Sequence, residues 1–354
     1  MKNFFLISLV FGCLCSCKTT NYNNKKSIKT NYQSVQIDTL FQDKVSIRAI
    51  VIDGKKVWYA ADNSRFGLFD LEQNKKTEST IGTDKSKAEF RSIAQTTKNI
   101  FILNVSNPAL LYKISKDGLE TKLVYQENHE KVFYDSLQFW NDAEGIAVGD
   151  PITNCLSIIT THDGGNSWNK IPCDKLPKLN EGEAAFAASN TNIVIKGNKT
   201  WIVSGGKKAR VFYSPDKGNS WEVFDTPIIQ GKTMTGIFTA DFYDAKNGFI
   251  AGGNYELLNQ NFGNKASTKD GGKNWELRAE NQGFGYASCV QYVPNSNGKA
   301  LVTVGASGLY YSSDKGNSWK QLSKDSSLFT IRFINNHTAI AAGKNKMIRI
   351  NFKN

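Results

Sequence analysis

The sequence predicts an all-β protein, a β-propeller in which small antiparallel sheets surround an axis. A chain of 354 residues exceeds the size of one ordinary core, so it forms either two domains or one domain of repeated units. An eight-residue pattern recurs four times, with spacings of 53, 54 and 44 residues. Apolar and polar residues alternate around each copy, which is typical of strands joined by a turn. A repeat of this length holds about four short strands, the size of a propeller blade.

The repeated pattern is interpreted as the turn of a β-hairpin. A Ser or Thr at its start and an Asp two residues later can accept hydrogen bonds from turn amides, and a Gly at the fifth position can adopt a positive φ. The Trp that ends it buries roughly 150–250 Å² against the hairpin and the neighbouring sheet. The copies are THDGGNSW with Asp163 and Trp168, SPDKGNSW with Asp216 and Trp221, TKDGGKNW with Asp270 and Trp275, and SSDKGNSW with Asp314 and Trp319.

The pattern S/T-x-D-x-G-x-x-W resembles the Asp-box, or BNR repeat, of sialidases, sortilin-type receptors, two-propeller xyloglucanases and photosystem II assembly and stability factors. The resemblance implies a propeller fold. It also implies that the box is a structural turn, set away from the ligand face and without a catalytic role. SKDGLE at residues 115–120 is a degenerate copy that lacks the Trp.

A second repeated pattern predicts the number of blades. An apolar strand, a polar turn and a small apolar strand ending in Gly recur, as in SLQFWNDAEGIAVGD and TADFYDAKNGFIAGG. These units begin near residues 46, 91, 135, 184, 237, 287 and 329, which predicts seven four-stranded antiparallel blades. Residues 328–354 have room for only three strands, so we expect the N-terminal strand at residues 34–41 to complete the last blade and close the ring. Six or eight blades remain the alternatives.

The N-terminus is typical of an exported protein. Lys2 precedes an apolar run over residues 4–12 that is too short to span a bilayer and matches a secretory signal. LCSC at residues 14–17 resembles a bacterial lipobox, which implies a signal peptide over residues 1–16, a lipid on Cys17 and a flexible tether over residues 17–33, before a propeller over residues 34–354. A plain secretory signal, or lipidation of Cys13, is the alternative. Lys18 resembles an outer-membrane sorting signal, so we expect an outer-membrane lipoprotein of the cell envelope, on its periplasmic or surface face.

Two cysteines flank the first box. Cys155 and Cys173 lie equally far in sequence from the DGGN turn, so they can face each other across one hairpin. Exported proteins can form disulfides, and we expect one here. Two small apolar core residues are the alternative.

Charge and motifs narrow the range of partners. The net charge of +12 favours acidic surfaces, but the lysines are scattered and no nucleic-acid motif accompanies them, so we interpret the charge as a solvated surface and expect no nucleic-acid partner. His129, His162 and His337 fall in different predicted blades without ligand spacing, so no metal site is predicted. No phosphate loop, nucleophile elbow or dinucleotide fingerprint occurs, so no cofactor is predicted.

Strand direction indicates the ligand face. The boxes join the third and fourth strands at one end of each blade, so the other loops and the crossovers between blades lie at the opposite end, which is the expected binding face. EGEAAFAASNT, GGKKARVFYSPDKGNSW and GIFTADFYDAKNGFIAGGNY resemble exported bacterial propellers related to the photosystem II assembly factors. The candidate ligand-binding residues at this face are Arg48, Arg91, Asp135, Asp150, Glu183, Lys207, Arg210, Asn254, Tyr255 and Tyr286.

We expect a non-catalytic, membrane-anchored scaffold that holds an envelope protein or a glycan over this face. The resemblance to photosystem factors implies a role in assembly or quality control. The alternative is an exported glycoside hydrolase or lyase that acts on acidic polysaccharide, with Glu183 and Asp150 as its carboxylate pair. A sialidase is disfavoured because no Arg-x-Pro element occurs. Xyloglucanases resemble two facing propellers, whereas this chain is predicted to form one.

Overall fold

The computed structural model describes residue 1, residues 31–81 and residues 87–354. The predicted signal peptide beyond residue 1, Cys17 and nearly all of the predicted tether lie outside the described residues. The described chain consists of β-strands and one short 3-10 helix, Cys173–Lys175. Within these ranges, no helix has the length and apolar composition needed to cross a bilayer.

The described strands form six antiparallel sheets. In chain order they are β1 Ser34–Asp53, β2 Lys56–Ala61, β3 Arg65–Asp70, β4 Lys75–Thr80, β5 Phe90–Gln95, β6 Asn99–Asn104, β7 Ala109–Ser115, β8 Thr121–Glu127, β9 Tyr134–Phe139, β10 Gly145–Gly149, β11 Ser157–Thr161, β12 Asn169–Lys170, β13 Glu183–Ala184, β14 Ile193–Lys196, β15 Lys199–Val203, β16 Gly205–Gly206, β17 Arg210–Ser214, β18 Glu222–Asp225, β19 Thr235–Phe242, β20 Gly248–Asn254, β21 Lys265–Thr268, β22 Glu276–Leu277, β23 Ala287–Tyr292, β24 Leu301–Gly305, β25 Gly308–Ser312, β26 Lys320–Ser323, β27 Leu328–Phe333 and β28 Thr338–Lys353. The strand orders are β27-β28-β1-β2-β3-β4, β5-β6-β7-β8, β9-β10-β11-β12, β14-β15-β17-β18, β13-β16-β19-β20-β21-β22 and β23-β24-β25-β26.

The prediction of seven separate four-stranded blades is wrong, because the described strands form six sheets. Residues 34–41 are not a separate strand: β1 runs without a break from Ser34 to Asp53 and pairs with β28 over its first part and with β2 over its second part. The strands expected in the first and the last blade therefore belong to one six-stranded sheet. Sequence periodicity marks where strands begin, but not whether a long strand continues from one unit into the next.

Neighbouring sheets pack on each other through aromatic side chains. The ring of Phe101 on β6 lies 4.6 Å from that of Phe139 and 6.4 Å from that of Trp168, both in the following sheet. Trp201 on β15 stacks on Phe242 of β19 with 3.9 Å between the ring centres. These rings bury a large apolar area between sheets, so they fix one sheet against the next.

The first strand of each unit lies innermost. These inner strands are β1, β5, β9, β14, β19, β23 and β27, and each contacts the next one along the chain. Six of them carry a β-bulge, where one residue lacks a partner on the neighbouring strand. The bulge lies near the start of the strand in five of them, and in β1 it lies where the pairing with β2 begins. The bulged residues are Arg48, Arg91, Asp135, Phe238, Ser288 and Phe329. A bulge bends the strand and redirects the side chain, so these residues are set apart from the regular sheet positions.

Small side chains follow the bulges and leave room on the axis. The residue after each bulge is fully buried, and these residues are Ala49, Ser92, Ser136, Thr239, Cys289 and Thr330. Residues 185–192, the axial segment, lie in this room between β13 and β14 and have no regular secondary structure. Alanines and short polar residues make up most of the segment, which suits a narrow space between strands.

The axial segment is hydrogen-bonded to inner strands on every side. Asn190 Nδ2 donates to Ile93 O at 2.7 Å, and Asn190 Oδ1 accepts from Leu137 N at 2.9 Å and from Ser136 Oγ at 3.2 Å. On the other side, Thr191 Oγ1 donates to Thr239 Oγ1 at 2.8 Å. Further bonds join Ser189 Oγ to Ser288 O, Arg332 Nη2 to Ser189 O and Arg48 Nη1 to Ala188 O. The segment therefore fills the axis and leaves a separate mouth at each end of the molecule.

Candidate functional site

One end of the axis opens into a cavity of about 370 Å³, which we call the arginine mouth. Five of the predicted face residues line it: Arg48, Arg91, Asp150, Tyr255 and Tyr286. Ala184 of β13 and three alanines of the axial segment, Ala185, Ala187 and Ala188, also line it and form its floor. The cavity is therefore a blind pocket rather than the entrance to a channel.

Two guanidinium groups form the charged side of the arginine mouth. Arg48 Nη1 donates to Ala188 O at 3.2 Å, and its guanidinium carbon lies 4.2 Å from the centre of the Phe329 ring. Arg91 donates from Nε and Nη2 to Glu89 Oε1 at 2.8 and 2.6 Å. Burial and the nearby charge of Arg91 lower the pKa of Arg48, so an anion bound between the two groups would relieve their repulsion.

Two carboxyl groups lie beside these arginines. Asp150 Oδ1 accepts a hydrogen bond from Ala185 N at 2.9 Å, which ties it to the axial segment, and burial raises the pKa of Asp150 to about 6. Asp135 is fully buried, and neither of its oxygens has a hydrogen-bond partner among the described residues. Burial and the neighbouring charge of Asp150 raise the pKa of Asp135 well above its usual value. Asp135 does not line the mouth, and its burial favours the neutral form of its carboxyl group.

Aromatic rings also line the arginine mouth. Phe186 and Phe238 stack with 3.9 Å between ring centres and 8° between planes. Tyr286 meets Phe238 edge-on at 4.8 Å and Tyr255 edge-on at 5.1 Å. The pocket thus combines aromatic rings with two cations, which suits a ligand with an apolar part and an anionic group.

An apolar loop borders the arginine mouth. Residues 255–264 join β20 to β21, and four of their large side chains are exposed: Tyr255 at 44%, Leu257 at 57%, Leu258 at 42% and Phe262 at 47%. Four such side chains on one loop form an apolar patch of the kind that marks a binding surface.

Buried polar residues hold this loop in place. Lys265 Nζ donates to Asn264 Oδ1 at 2.7 Å, and burial lowers the pKa of Lys265 to about 8. Asn264 Nδ2 in turn donates to Phe284 O at 2.9 Å and to Gly285 O at 2.6 Å. The end of the loop is therefore anchored, although its apolar side chains are exposed.

The remaining face residues have structural partners. Glu183, whose side chain is fully buried, accepts from Arg210 Nε at 2.9 Å, from Arg210 Nη2 at 2.6 Å and from Ser204 Oγ at 2.6 Å. Lys207 Nζ pairs with Glu181 at 3.1 Å. Asn254 Oδ1 accepts from Glu256 N at 2.9 Å, at the start of the apolar loop. Glu183, Lys207, Arg210 and Asn254 do not line the arginine mouth.

The four repeated turns have the same hydrogen bonds. In the first, Thr161 Oγ1 donates to Asp163 Oδ1 at 2.9 Å, which also accepts from Ser167 N at 3.0 Å, and Gly165 has a φ of 75°. Burial opposes ionisation there, but hydrogen bonds from Ser167 and its neighbours lower the pKa of Asp163 to about 2. The equivalent aspartates, Asp216, Asp270 and Asp314, accept from the hydroxyl two residues before and from the amide four residues after.

The tryptophans of these turns pack under the hairpins. The indole nitrogens of Trp221, Trp275 and Trp319 donate to the Gly carbonyl three residues earlier at 3.1, 2.8 and 3.0 Å. Trp168 is buried, and its indole nitrogen has no partner in the described chain. Each of the four turns joins the last two strands of its sheet, so antiparallel pairing places them at the end away from the arginine mouth.

Cys155 and Cys173 form a disulfide, with 5.7 Å between their Cα atoms. The bond joins the residues just before β11 to the 3-10 helix that follows β12. The described part of the chain contains no group of three or more His, Cys, Asp or Glu side chains placed to hold a metal ion.

Sequence reasoning missed the axial segment and the aromatic stack on it. EGEAAFAASNT was expected to begin a regular blade, and nothing in its pattern indicates that Phe186 lies over Phe238 while Asn190 bonds to other sheets. The run of alanines followed by short polar residues, with Thr191 as its single β-branched residue, is the one signal that was present.

The comparisons with known proteins concern the fold. No protein-family model matches the chain, and no curated protein matches it. A solved structure described as YCF48 bound to D1 peptide is 16% identical, with a TM-score of 0.65 over 93% of this chain and 99% of that one. The WD40 repeats of RRP9 are 12% identical, with a TM-score of 0.65 over 91% of this chain and 100% of that one. The GH74 xyloglucanase from Xanthomonas campestris is 10% identical, with a TM-score of 0.64 over 88% of this chain and 53% of that one. At these identities the likeness shows the fold alone: the chain is a β-propeller.

Proposed function

We propose that the protein is a non-catalytic scaffold that binds a peptide segment of a partner protein at the arginine mouth. One observation carries the proposal: a blind pocket is lined by two arginines and by a stack of aromatic rings, beside an exposed apolar loop. Rigid pockets bordered by apolar loops are suited to holding an extended segment.

The chemistry of the mouth specifies the segment. Arg48 and Arg91 favour a carboxylate, from an acidic side chain or from a chain terminus, because guanidinium groups bind carboxylates through paired N–H donors. The rings of Phe186, Phe238 and Tyr286 favour an apolar side chain next to it. Tyr255, Leu257 and Phe262 extend the apolar surface outside the pocket. The expected ligand is therefore an acidic residue flanked by apolar residues.

The comparisons give this proposal limited support. One structure of similar fold is described as YCF48 bound to D1 peptide, so a propeller of this shape can carry a peptide. The hydrogen bonds of the four turns support membership among the Asp-box propellers, with the boxes in a structural role.

The hydrolase alternative gains no support from the geometry. Glu183 is held by Arg210 and Ser204, so its carboxylate is not available as an acid or a base. Asp150 lines the mouth, but the nearby carboxyl group of Asp135 is fully buried and does not line it. A glycosidase needs two carboxyl groups on either side of a substrate bond, and this arrangement offers one.

The location in the envelope is part of the same proposal. A lipid on Cys17 would hold the propeller at the outer membrane, where it would retain an envelope protein during assembly or quality control. Labelling cells with a radioactive fatty acid tests this: Cys17→Ser should lose the label and Cys13→Ser should keep it. The opposite pattern would move the anchor to Cys13, and no label in the unaltered protein would leave a plain secretory signal.

A peptide array tests the binding proposal. Purified protein is applied to arrays of random peptides, and the enriched peptides are titrated by calorimetry against the unaltered protein, Arg48→Met and Arg91→Met. We expect acidic–apolar peptides to be enriched and each substitution to weaken binding at least tenfold. Lys122→Met removes an exposed lysine of β8 and is the matched control, so its binding should be unchanged. Enrichment of basic peptides, or undiminished binding by both arginine variants, would contradict the proposal.

A further inference from the structure

The other end of the axis carries a second cavity, of about 460 Å³. It lies where the inner strands end, so it is bounded by different residues from those of the arginine mouth. Asn190 of the axial segment lines it, so the axial segment separates the two cavities. Polar side chains from the inner strands, including β14, line it: Gln95, Gln138, Gln291, Asp241, Arg332 and Lys196. We call it the glutamine mouth after the three glutamines.

Three of these side chains are occupied by structural hydrogen bonds. Arg332 donates to Ile331 O at 2.8 Å and to Ser189 O at 3.1 Å. Asp241 accepts from Tyr292 N at 2.7 Å and from Phe242 N at 2.9 Å. Gln95 donates to Ile52 O at 2.8 Å and accepts from Lys116 Nζ at 3.2 Å. These groups have structural partners in the fold, and Asp241 lies close enough to Lys196 for their charges to interact.

The other three keep free hydrogen-bonding groups. Lys196 Nζ has no hydrogen-bond or ion-pair partner in the part of the chain that the structure describes. The amide nitrogens of Gln138 and Gln291 donate to Asn190 O at 3.5 Å and to Val290 O at 3.1 Å, so their Oε1 atoms are left without a partner among the described residues. One free cation and two free amide acceptors therefore line the same cavity.

Apolar rings complete the lining. Tyr243 and Tyr292 meet edge-on with 5.7 Å between ring centres, and Phe333 and Pro294 also line the cavity. A sugar unit matches this combination, because its hydroxyl groups donate to amide oxygens while its C–H face packs on aromatic rings. A carboxylate on the sugar would pair with the ammonium of Lys196, whose charge interacts with the nearby Asp241 and Asp244 but forms no direct ion pair with either of them.

We propose that the glutamine mouth binds a uronic-acid unit of an acidic polysaccharide. Lys196 pairs with the carboxylate, and Gln138 and Gln291 accept hydrogen bonds from ring hydroxyl groups. The net charge of +12 would raise the local concentration of such a polyanion around the protein. The site is independent of peptide binding at the arginine mouth, because the axial segment lies between them.

Calorimetry with trigalacturonic acid tests the site, with maltotriose as the uncharged trisaccharide. Titrations at about 0.15 M salt screen weak contacts with the basic surface. We expect the unaltered protein to bind trigalacturonic acid in preference to maltotriose. Lys196→Met and Gln291→Leu should each weaken that binding at least tenfold, whereas Lys122→Met should bind normally. Thermal melts of all variants establish that each is folded.

Three results would overturn the proposal. If the unaltered protein does not bind trigalacturonic acid, uronic acids are excluded as the ligand of this cavity. If maltotriose binds as tightly as trigalacturonic acid, Lys196 does not recognise a carboxylate on the sugar. Equal loss in Lys122→Met and Lys196→Met would assign the binding to general surface charge.

Discussion

Asp135 is a fully buried carboxyl group with no hydrogen-bond partner among the described residues. Burial and the charge of Asp150 raise its pKa well above the usual value for an aspartate. The folded protein therefore holds a proton on Asp135 that the unfolded chain releases above about pH 4. Stability from this group is present below about pH 4 and declines as the pH rises towards the pKa of the folded state.

Asp135→Asn should remove this pH dependence. At pH 4 the carboxyl group is neutral like the amide, so the variant and the unaltered protein should have similar free energies of unfolding. At pH 7 the variant should be more stable by about 1–3 kcal/mol, because no proton has to be taken up on folding. Urea denaturation from pH 4 to pH 8 measures the difference. Asp174→Asn, at an exposed acid, is the control: its difference in free energy of unfolding from the unaltered protein should not change with pH. A difference for Asp135→Asn that does not change with pH would contradict this interpretation.

Glu183 was a candidate catalytic acid from sequence, and the structure places it in a buried ion pair instead. Its partner Arg210 is 27 residues away in sequence, so spacing gave no indication of the pairing. The pattern of apolar and polar residues in a sequence cannot show whether a carboxylate in a loop is free or forms an ion pair. In the same way, Arg48, Arg91 and Asp135 could be placed near strand starts from the aligned repeats, but their bulges depend on the pairing of two strands.

Glu183→Gln should lower the free energy of unfolding by about 3–5 kcal/mol, because it removes the buried carboxylate that balances the charge of the half-buried Arg210. Glu181→Gln is the matched control: the side chain of Glu181 is 93% exposed, so loss of its pair with Lys207 should cost less than about 1 kcal/mol. Chemical denaturation of both variants measures the two costs. Equal stabilities would mean that the pair contributes little, and Glu183 would again be a candidate acid.

The axial segment is the element that the periodicity of the sequence could not predict. The unit that begins near residue 184 has the length of the others, so a regular inner strand was expected there. Its backbone instead bonds to several sheets, which depends on small residues after the bulges of distant strands. Hydrophobic periodicity reports contacts within a sheet and carries no information about a segment between sheets.

Asn190→Ala should destabilise the protein by about 2–4 kcal/mol, because it leaves Ile93 O and Leu137 N unpaired in a buried position. The effect should reach both mouths, since the segment forms the floor of each. Denaturant titration measures the cost. A change of less than about 0.5 kcal/mol would show that the axial segment is held by packing alone.

The propeller fold follows from the recurring turns, while the sheet count does not. The boxes and the small apolar strands predict repeated antiparallel units, and solved propellers match the chain over most of its length. The predicted number of separate sheets was wrong because β1 continues from the strand assigned to the last unit into the first unit and so places six strands in one sheet. Local pattern determines where a strand starts, whereas its length depends on the partner that it meets.

The two mouths give the whole molecule a division of roles. The arginine mouth offers cations, aromatic rings and an apolar loop, whereas the glutamine mouth offers amides and one free ammonium. The repeated turns lie at the same end of the molecule as the glutamine mouth. They stabilise their hairpins and do not contact the arginine mouth. We therefore expect that a substitution in one mouth can weaken binding there without affecting binding at the other mouth.

Hydrogen–deuterium exchange with a bound peptide tests the central claim most directly. An acidic–apolar peptide enriched on the array is added, and amide exchange is compared with that of the free protein. Slower exchange across residues 255–264, with no change at the four repeated turns, is the predicted result. Slower exchange confined to the turns or to the glutamine mouth would contradict the assignment of the arginine mouth as the peptide site.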